Sequence, residues 1–197
     1  MKTSLQLFIT LFALGIIFYS CKKDVVDSTA DCDSPDARNV EAFFNTLNNQ
    51  PGYFLYETMD LLTHEYTFST TDDLQICGFA YKSQDPNAQY QIELVDSNGN
   101  PVFSQQMSFS NTAFEFIGVP PFTITAGTYT LKRTIGSGNG FTIGPITRAG
   151  TQGNPVNPTF PINLGSEITI QSSNFYGAGG PVPNIGIPNI YFEYVKL

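Results

Sequence analysis

The chain has 197 residues, of which 17 are acidic and 9 are basic, and its formal net charge is −8. Nucleic acids and anionic lipids both attract basic surfaces, so this charge balance argues against a nucleic-acid-binding protein and against electrostatic docking to a membrane. The length is sufficient for one domain with a sizeable core.

The first twenty residues have the pattern of a secretory leader. Lys2 supplies a positive charge, and the run Leu5–Tyr19 is apolar apart from Gln6 and Thr10. Such a run is shorter than the ~20 residues that a membrane-spanning helix needs, and it has the length of a signal-peptide core. We therefore predict that residues 1–20 are a signal peptide.

Cys21 follows the apolar run and the small residue Ser20. This context resembles the signal of Bacteroidetes-type bacterial lipoproteins, in which the cysteine is lipidated and begins the mature protein. The resemblance implies a protein attached to the outer membrane through lipid on Cys21. An ordinary secretory signal, with Cys21 incidental, is the alternative.

The charged residues after Cys21 indicate where the domain is displayed. Lys22-Lys23-Asp24 is similar to the surface-export signal of the same lipoproteins, so the cell surface is the expected location. A position facing the periplasm is the alternative. Residues 21–33 are charged and lack periodicity, which predicts a solvated tether between the lipid and the domain.

Lipidation of Cys21 would leave two other cysteines, Cys32 and Cys77, which is an even number and allows them to pair. Disulfides persist in the oxidising compartments outside the cytoplasm, so we predict a bond between them. Closing a loop of this length would stabilise the fold by roughly 4 kcal/mol in the chain-entropy model. Two buried or idle thiols are the alternative.

A short helix is predicted at the start of a domain that spans residues 34–197. Ser34 is a favourable N-cap, and Pro35 suits the first helical position. Four apolar residues then recur at the spacing of one helical face: Val40, Phe43, Phe44 and Leu47. The polar and Gly-containing stretch 48–52 is predicted to end the helix.

The pattern beyond Tyr53 is typical of short strands. Gln89–Val95 alternates between apolar and polar residues, and Asn98-Gly99 in the stretch that follows favours a hairpin turn. The predicted strands are Glu65–Ser69, Leu74–Tyr81, Gln89–Val95, Val102–Phe109, Ala113–Gly118, Thr128–Ile135, Phe141–Thr147, Glu167–Ser172 and Asn189–Lys196. This series predicts an all-β fold, an antiparallel β-sandwich of jelly-roll or immunoglobulin-like type with one short N-terminal helix.

Two stretches interrupt the regular spacing of the strands. Ala149–Leu164 is rich in Pro, Gly and Asn, and Gly177–Pro188 contains a Gly-Gly pair and three prolines. We predict long loops in both places. Long loops often carry function, although these could simply cross between sheets.

Residues 66–135 and 173–197 resemble the uncharacterised jelly-roll domains found on bacterial cell-surface and glycan-processing proteins. The resemblance lies in the order of short strand motifs: Tyr66-Thr67-Phe68-Ser69, Gly78-Phe79-Ala80-Tyr81, Tyr176-Gly177-Ala178-Gly179-Gly180 and Ile190-Tyr191-Phe192. It implies a sandwich fold and, loosely, contact with glycan. It implies no catalytic residues.

The sequence offers little for catalysis or metal binding. It contains no nucleophile motif and a single histidine, His64, so we expect no enzyme and no cofactor. Asp72 and Asp73 lie between two predicted strands. Because calcium often bridges loops in jelly-roll binding modules, these two residues are weak candidates for a calcium site.

Three tyrosines are the candidates for ligand binding. Tyr53 and Tyr56 follow the predicted helix, and Tyr176 lies in a Gly-rich stretch. A tyrosine ring can stack on a sugar while its hydroxyl stays in water. For each of them, packing at the rim of the core is the alternative.

Together these features predict a lipid-anchored, non-catalytic binding module for a glycan or another surface ligand. The alternative is a structural or interaction subunit that docks on another envelope protein. A shallow groove with an exposed tyrosine and a few polar side chains would favour the binding module. An exposed apolar patch near one sheet would favour the docking subunit.

Overall fold

The computed structural model describes residues 32–60, 62–83, 85, 87–110, 112–136, 142–177 and 179–197. The predicted signal peptide, the lipidation site Cys21 and most of the predicted tether lie outside these residues. Within the described ranges, no helix has the length and apolar character needed to cross a membrane.

The described part of the chain contains one helix, α1 (Val40–Asn48), and fifteen strands. The strands are β1 (Arg38–Asn39), β2 (Tyr53–Asp60), β3 (Thr63–Thr70), β4 (Leu74–Tyr81), β5 (Tyr90–Asp96), β6 (Pro101–Met107), β7 (Glu115–Ile124), β8 (Gly127–Ile135), β9 (Thr142–Thr151), β10 (Asn154–Val156), β11 (Ile162–Leu164), β12 (Ile168–Gly177), β13 (Gly180–Pro183), β14 (Ile187–Pro188) and β15 (Tyr191–Lys196). Each predicted strand overlaps an observed one. The predicted all-β antiparallel sandwich with one short helix is confirmed.

The strands form three antiparallel sheets. The large sheet has the order β11-β12-β3-β8-β5-β6, with β13 paired to β12. The second sheet has the order β1-β15-β4-β7. The small sheet has the order β10-β9-β14, with β2 paired to β9.

The core lies between the large sheet and the second sheet. Phe68 of β3 stacks on Phe192 of β15 with ring centroids 5.1 Å apart, and Phe79 of β4 lies 4.8 Å from Phe103 of β6. Buried residues alternate with less buried ones along β3, as strand geometry requires. Burial of these apolar side chains, at about 25 cal/mol per Å² of apolar surface, is the main force that holds the two sheets together.

The helix begins at Val40, so the predicted start at Ser34 is wrong. The side chain of Asn39 accepts a hydrogen bond from the backbone N–H of Glu41 at 2.8 Å, which makes Asn39 the N-cap. Arg38 and Asn39 are extended because they pair with β15. The sequence near Ser34 favours a helix locally, but Arg38 and Asn39 pair with β15, so the helix begins more than one turn later in the chain.

Cys32 and Cys77 form a disulfide, with their Cα atoms 5.6 Å apart. Cys77 is only 4% exposed and lies in β4, between β15 and β7. The bond therefore fastens the described N-terminus to the second sheet. The chain is attached to the domain at Cys32, two residues before the predicted start at residue 34.

The two predicted long loops are instead folded into short strands. β9 continues to Thr151 and turns into β10, and Gly177 pairs with Gly180 at the turn between β12 and β13. Gly150 and Gly180 have φ values of 93° and 92°, a conformation that suits glycine. The prediction was wrong because these segments fold back on their neighbours in the chain, β10 on β9, β11 on β12 and β13 on β12, through turns that hydrophobic periodicity does not reveal.

Candidate functional site

The three candidate tyrosines do not converge on one site. Tyr53 begins β2 beside the helix, Tyr56 lies further along the same strand, and Tyr176 lies in β12 of the large sheet. Each of the three has a different environment. Of the three, only Tyr53 lines the groove beside the helix.

This groove, which we call the helix groove, lies between α1 and β11 and has a volume of about 520 Å³. Small-molecule sites usually have volumes of roughly 300–1,000 Å³. Its floor consists of three buried apolar side chains, those of Leu47, Ile162 and Leu164. The helix groove therefore has the size and the apolar base of a small-ligand site.

The helix contributes to the groove through a face beside its core face. Val40 and Phe44 are buried in the core. Phe43 and Leu47 stand four residues apart, so they lie one turn apart along the helix, and Thr46 lies beside Leu47. Gln50 follows just after the end of the helix. The core and the groove thus use adjacent stripes of one helix of nine residues.

Gly165 allows the ring of Phe43 to come close to the backbone after β11. A Cβ atom at this position would lie 2.7 Å from the Phe43 ring, and the glycine has a φ of 86°. Any other residue would be strained and would push the ring away. The position of Phe43 in the groove therefore depends on this glycine.

The rim of the helix groove is polar and uncharged. Thr46, Gln50, Thr159 and Asn163 are exposed along it. The side-chain carbonyl of Asn163 accepts a hydrogen bond from the hydroxyl of Thr169 at 2.9 Å, which orients the amide. None of the groove-lining residues is charged, so a charged ligand would find no partner there.

Tyr176 has a structural partner on the large sheet. Its hydroxyl donates a hydrogen bond to Glu65 at 2.8 Å, and the ammonium of Lys132 lies 3.8 Å from the same carboxylate. The hydrogen bond to Glu65, with partial burial, raises the pKa of Tyr176. Tyr176 also lines a second cavity of about 220 Å³, with His64, Phe175 and Val182. Ligand binding by Tyr176 therefore stays a prediction.

Tyr56 belongs to an exposed apolar segment of β2, which we call the β2 patch: Phe54, Leu55 and Tyr56. Leu55 is 45% exposed and Tyr56 is 38% exposed. The centroids of the Tyr56 and Phe54 rings lie 6.1 Å apart. The guanidinium of Arg148 lies 5.8 Å from the centroid of the Tyr56 ring. None of the three residues of the patch lines the helix groove.

The weak calcium candidates, Asp72 and Asp73, are both used by the fold. Asp72 lies 3.0 Å from the ammonium of Lys196, whose hydrogen bond lowers the pKa of Asp72. Asp73 accepts a hydrogen bond from the backbone N–H of Ala126 at 2.8 Å. Among the described residues, no group of three His, Cys, Asp or Glu could hold a metal. The described structure thus offers no support for calcium at this pair.

Of the residues that line the helix groove, only Tyr53 was predicted from the sequence as a ligand-binding residue. Phe43 was assigned to the core face of the helix, and Asn163 to the end of a loop. The one usable signal was the polar pair Thr46 and Gln50 beside an apolar stripe. That signal predicts a solvated helix face equally well, so it could not identify a site.

No protein-family model matches this chain, and no curated protein matches it.

Proposed function

We propose that the protein is a lipid-anchored, non-catalytic binding module of a bacterial outer membrane, and that its helix groove binds an uncharged glycan. The observation that carries this proposal is the lining of the groove. Two aromatic side chains, Phe43 and Tyr53, share an apolar floor with a rim of hydroxyl and amide groups.

This lining is chemically suited to a sugar. A pyranose ring has C–H faces that pack on aromatic rings, and hydroxyl edges that exchange hydrogen bonds with amides and hydroxyls. Because no groove-lining side chain is charged, a neutral sugar fits better than a uronic acid or a phosphorylated sugar. A single groove of this volume would hold one or two sugar units of a longer chain.

Replacement of Tyr53 by alanine is expected to weaken glycan binding about tenfold, since an aromatic contact contributes up to ~1.5 kcal/mol beyond buried area. The measurement is a glycan array, followed by titration calorimetry, on the chain from residue 22 onward, so that the disulfide of Cys32 is kept. Calcium and a chelator are compared in parallel. No dependence on calcium is expected.

Tyr56→Ala is the matched control, because it removes an exposed tyrosine of the same strand that does not line the groove. It should leave glycan binding unchanged. An array without hits at high protein concentration would contradict the proposal. Equal losses from Tyr53→Ala and Tyr56→Ala would place any binding outside the helix groove.

The proposed anchor is tested separately by Cys21→Ala in cells. Burial of each acyl methylene contributes about 0.8 kcal/mol, so a cysteine with several acyl chains stays in the membrane. We expect the wild-type protein to fractionate with membranes and to incorporate an alkyne-labelled fatty acid. The variant should do neither, and full retention of the variant in membranes would show that lipid on Cys21 is not the anchor.

A second candidate function is that of an interaction subunit in the envelope. The β2 patch favours it: Phe54 and Tyr56 share one face of the strand, Leu55 lies on the other, and exposed apolar surface outside a core marks docking sites. The two functions use different residues, so both could belong to one protein. Binding to an envelope protein that persists in Tyr53→Ala, and is lost when a charged residue replaces one in the β2 patch, would favour the second function.

A further inference from the structure

The second cavity, which we call the β13 cavity, lies between the large sheet and β2 of the small sheet and has a volume of about 220 Å³. His64 and Phe175 line it from the large sheet, and Thr58 lines it from β2. It shares no lining residue with the helix groove. A ligand in the β13 cavity would therefore occupy a site distinct from the proposed glycan site.

One wall of the β13 cavity is a row of side chains that crosses three strands. Val182 of β13 lies opposite Phe175 of β12, and Phe175 lies opposite His64 of β3. Directly opposed residues share a face of the sheet, so these three side chains stand next to one another. The ring centroids of His64 and Phe175 are 4.6 Å apart, with an angle of 66° between the ring planes. The row thus presents two aromatic rings and one aliphatic side chain to the cavity.

The β13 cavity opens beside the turn between β12 and β13. Gly177, Gly179 and Gly180 line the cavity there, and glycines have no side chains to fill it. Val182 is 46% exposed, whereas Phe175 is only 5% exposed. A small molecule can therefore enter beside β13 and reach the rings at the inner end.

The segment around Ile185, which also lines the β13 cavity, is fixed by hydrogen bonds on both sides of this residue. The backbone N–H of Asn184 donates to the carbonyl of Ser173 at 2.9 Å, and the side-chain carbonyl of Asn184 accepts from the Ser173 N–H at 2.9 Å. The Ser173 hydroxyl donates to the carbonyl of Gly186. Because this wall is already ordered, a ligand would lose little binding free energy to ordering it.

The lining of the β13 cavity suits an uncharged ligand with few polar groups. None of its described residues is Asp, Glu, Lys or Arg, so a charged ligand would lose its hydration without a fixed counter-charge. Three lining residues have polar side chains: Thr58, His64 and Tyr176. The Tyr176 hydroxyl already donates its hydrogen bond to Glu65. A sugar would leave most of its hydroxyls without partners in this cavity, which is unfavourable.

The volume of the β13 cavity limits the size of the ligand. An apolar cavity of about 150 Å³ is sufficient to hold benzene. The β13 cavity, at about 220 Å³, therefore holds one six-membered ring with a small substituent. An aromatic ring gains more from the His64 and Phe175 rings than a saturated one, because aromatic pairs attract each other beyond the area that they bury.

We infer that the β13 cavity binds a small, uncharged molecule that has a single aromatic ring and one polar substituent. The probe that tests this inference is phenol, titrated into the full chain in detergent micelles with labelled isoleucine and valine methyl groups. The methyl signals of Ile185 and Val182 should shift until the site is saturated, because the ring current of bound phenol acts on nearby protons. Without a saturable shift at either residue, the inference is wrong.

Two further probes test the class of the ligand. Glucose at the same concentrations should leave the Ile185 and Val182 signals unchanged. Cyclohexanol, a saturated ring of similar outline, should bind about fivefold more weakly than phenol, since an aromatic pair contributes roughly 1 kcal/mol beyond its buried area. Equal affinities for phenol and cyclohexanol, or saturable shifts with glucose, would overturn the assigned class.

Val182→Trp tests the location of the site. The larger side chain would occupy the opening of the cavity, so the saturable shift of Ile185 should be lost, and the exposure of Val182 should allow the fold to tolerate the change. Val156→Trp in β10 is the matched control, because Val156 is also exposed and does not line the cavity. It should bind phenol like the wild type. Unchanged binding in Val182→Trp would overturn the assigned location.

The titration of the wild type needs no variant, so it decides the inference even where a substitution disturbs the fold. None of these measurements depends on glycan binding in the helix groove. Failure of this inference is therefore distinguishable from failure of the proposed function.

Discussion

Removal of the Cys32–Cys77 disulfide is expected to lower the free energy of unfolding by roughly 4 kcal/mol. The bond spans 45 residues of sequence, so it restricts the unfolded chain strongly. It also holds the described N-terminus against β4 in the second sheet. Since ordinary domains have a total stability of about 5–15 kcal/mol, this one bond accounts for a large fraction of it.

The measurement is urea unfolding of the wild type and of the double variant Cys32→Ala, Cys77→Ala. The midpoint should fall, and the unfolded state of the variant should be more expanded because its loop is open. Reductant should destabilise the wild type by a similar amount and should leave the double variant unchanged. A difference below about 1 kcal/mol would mean that the unfolded chain gains little freedom when the bond is absent.

Phe44→Ala is expected to cost about 3–5 kcal/mol, the usual range for a phenylalanine removed from a core. Phe44 is 0% exposed, and its ring centroid lies 5.0 Å from that of Tyr191 and 6.2 Å from that of Tyr66. It therefore joins the only helix of the described chain to both main sheets. Loss of this ring leaves a cavity at the point where the helix is attached.

The neighbouring residue provides the matched control for Phe44→Ala. Phe43 is half-buried and lines the helix groove. Phe43→Ala should cost only about 1–2 kcal/mol of stability, because less of its surface leaves water on folding, yet it should weaken glycan binding. Thermal and urea unfolding give the stabilities, and calorimetry gives the affinities. Equal losses of stability in the two variants would contradict the division of the helix into a core stripe and a groove stripe.

Much of the fold was readable from local pattern. In Gln89–Val95 the apolar residues alternate with polar ones, and in β5 the apolar residues are the buried ones. In β8, Tyr129 and Leu131 face the core as alternation requires. These predictions succeeded because a strand with one buried face must repeat every two residues.

The site could be predicted only in part. Tyr53 was identified from its residue type and its place after the helix. The groove around Tyr53 also requires β11, which was predicted to be part of a loop because the stretch before it is rich in proline. It further requires Gly165, because a side chain at this position would clash with the Phe43 ring. β11 pairs with the next strand, β12, but its position beside the helix and the approach of Gly165 to Phe43 join segments that are distant in the chain. A single sequence contains no local signal for such contacts.

The sequence by itself determined the all-β class, the positions of most strands, the short helix and an even cysteine pair in the chain after Cys21. Each of these follows from residue type and from periodicity over a few neighbouring residues. The tertiary structure alone decided the start of the helix, the conversion of two loops into strands, and the burial of Arg133. The Arg133 guanidinium lies 5.1 Å from the Tyr81 ring and 5.2 Å from the Tyr90 ring, where cation–π contact compensates for lost water. The physical reason for the first and the third is that β1 pairs with β15, and Arg133 contacts Tyr81 and Tyr90, across large separations in the chain. The strands within the two predicted loops pair with their neighbours in the chain, through turns that hydrophobic periodicity does not reveal.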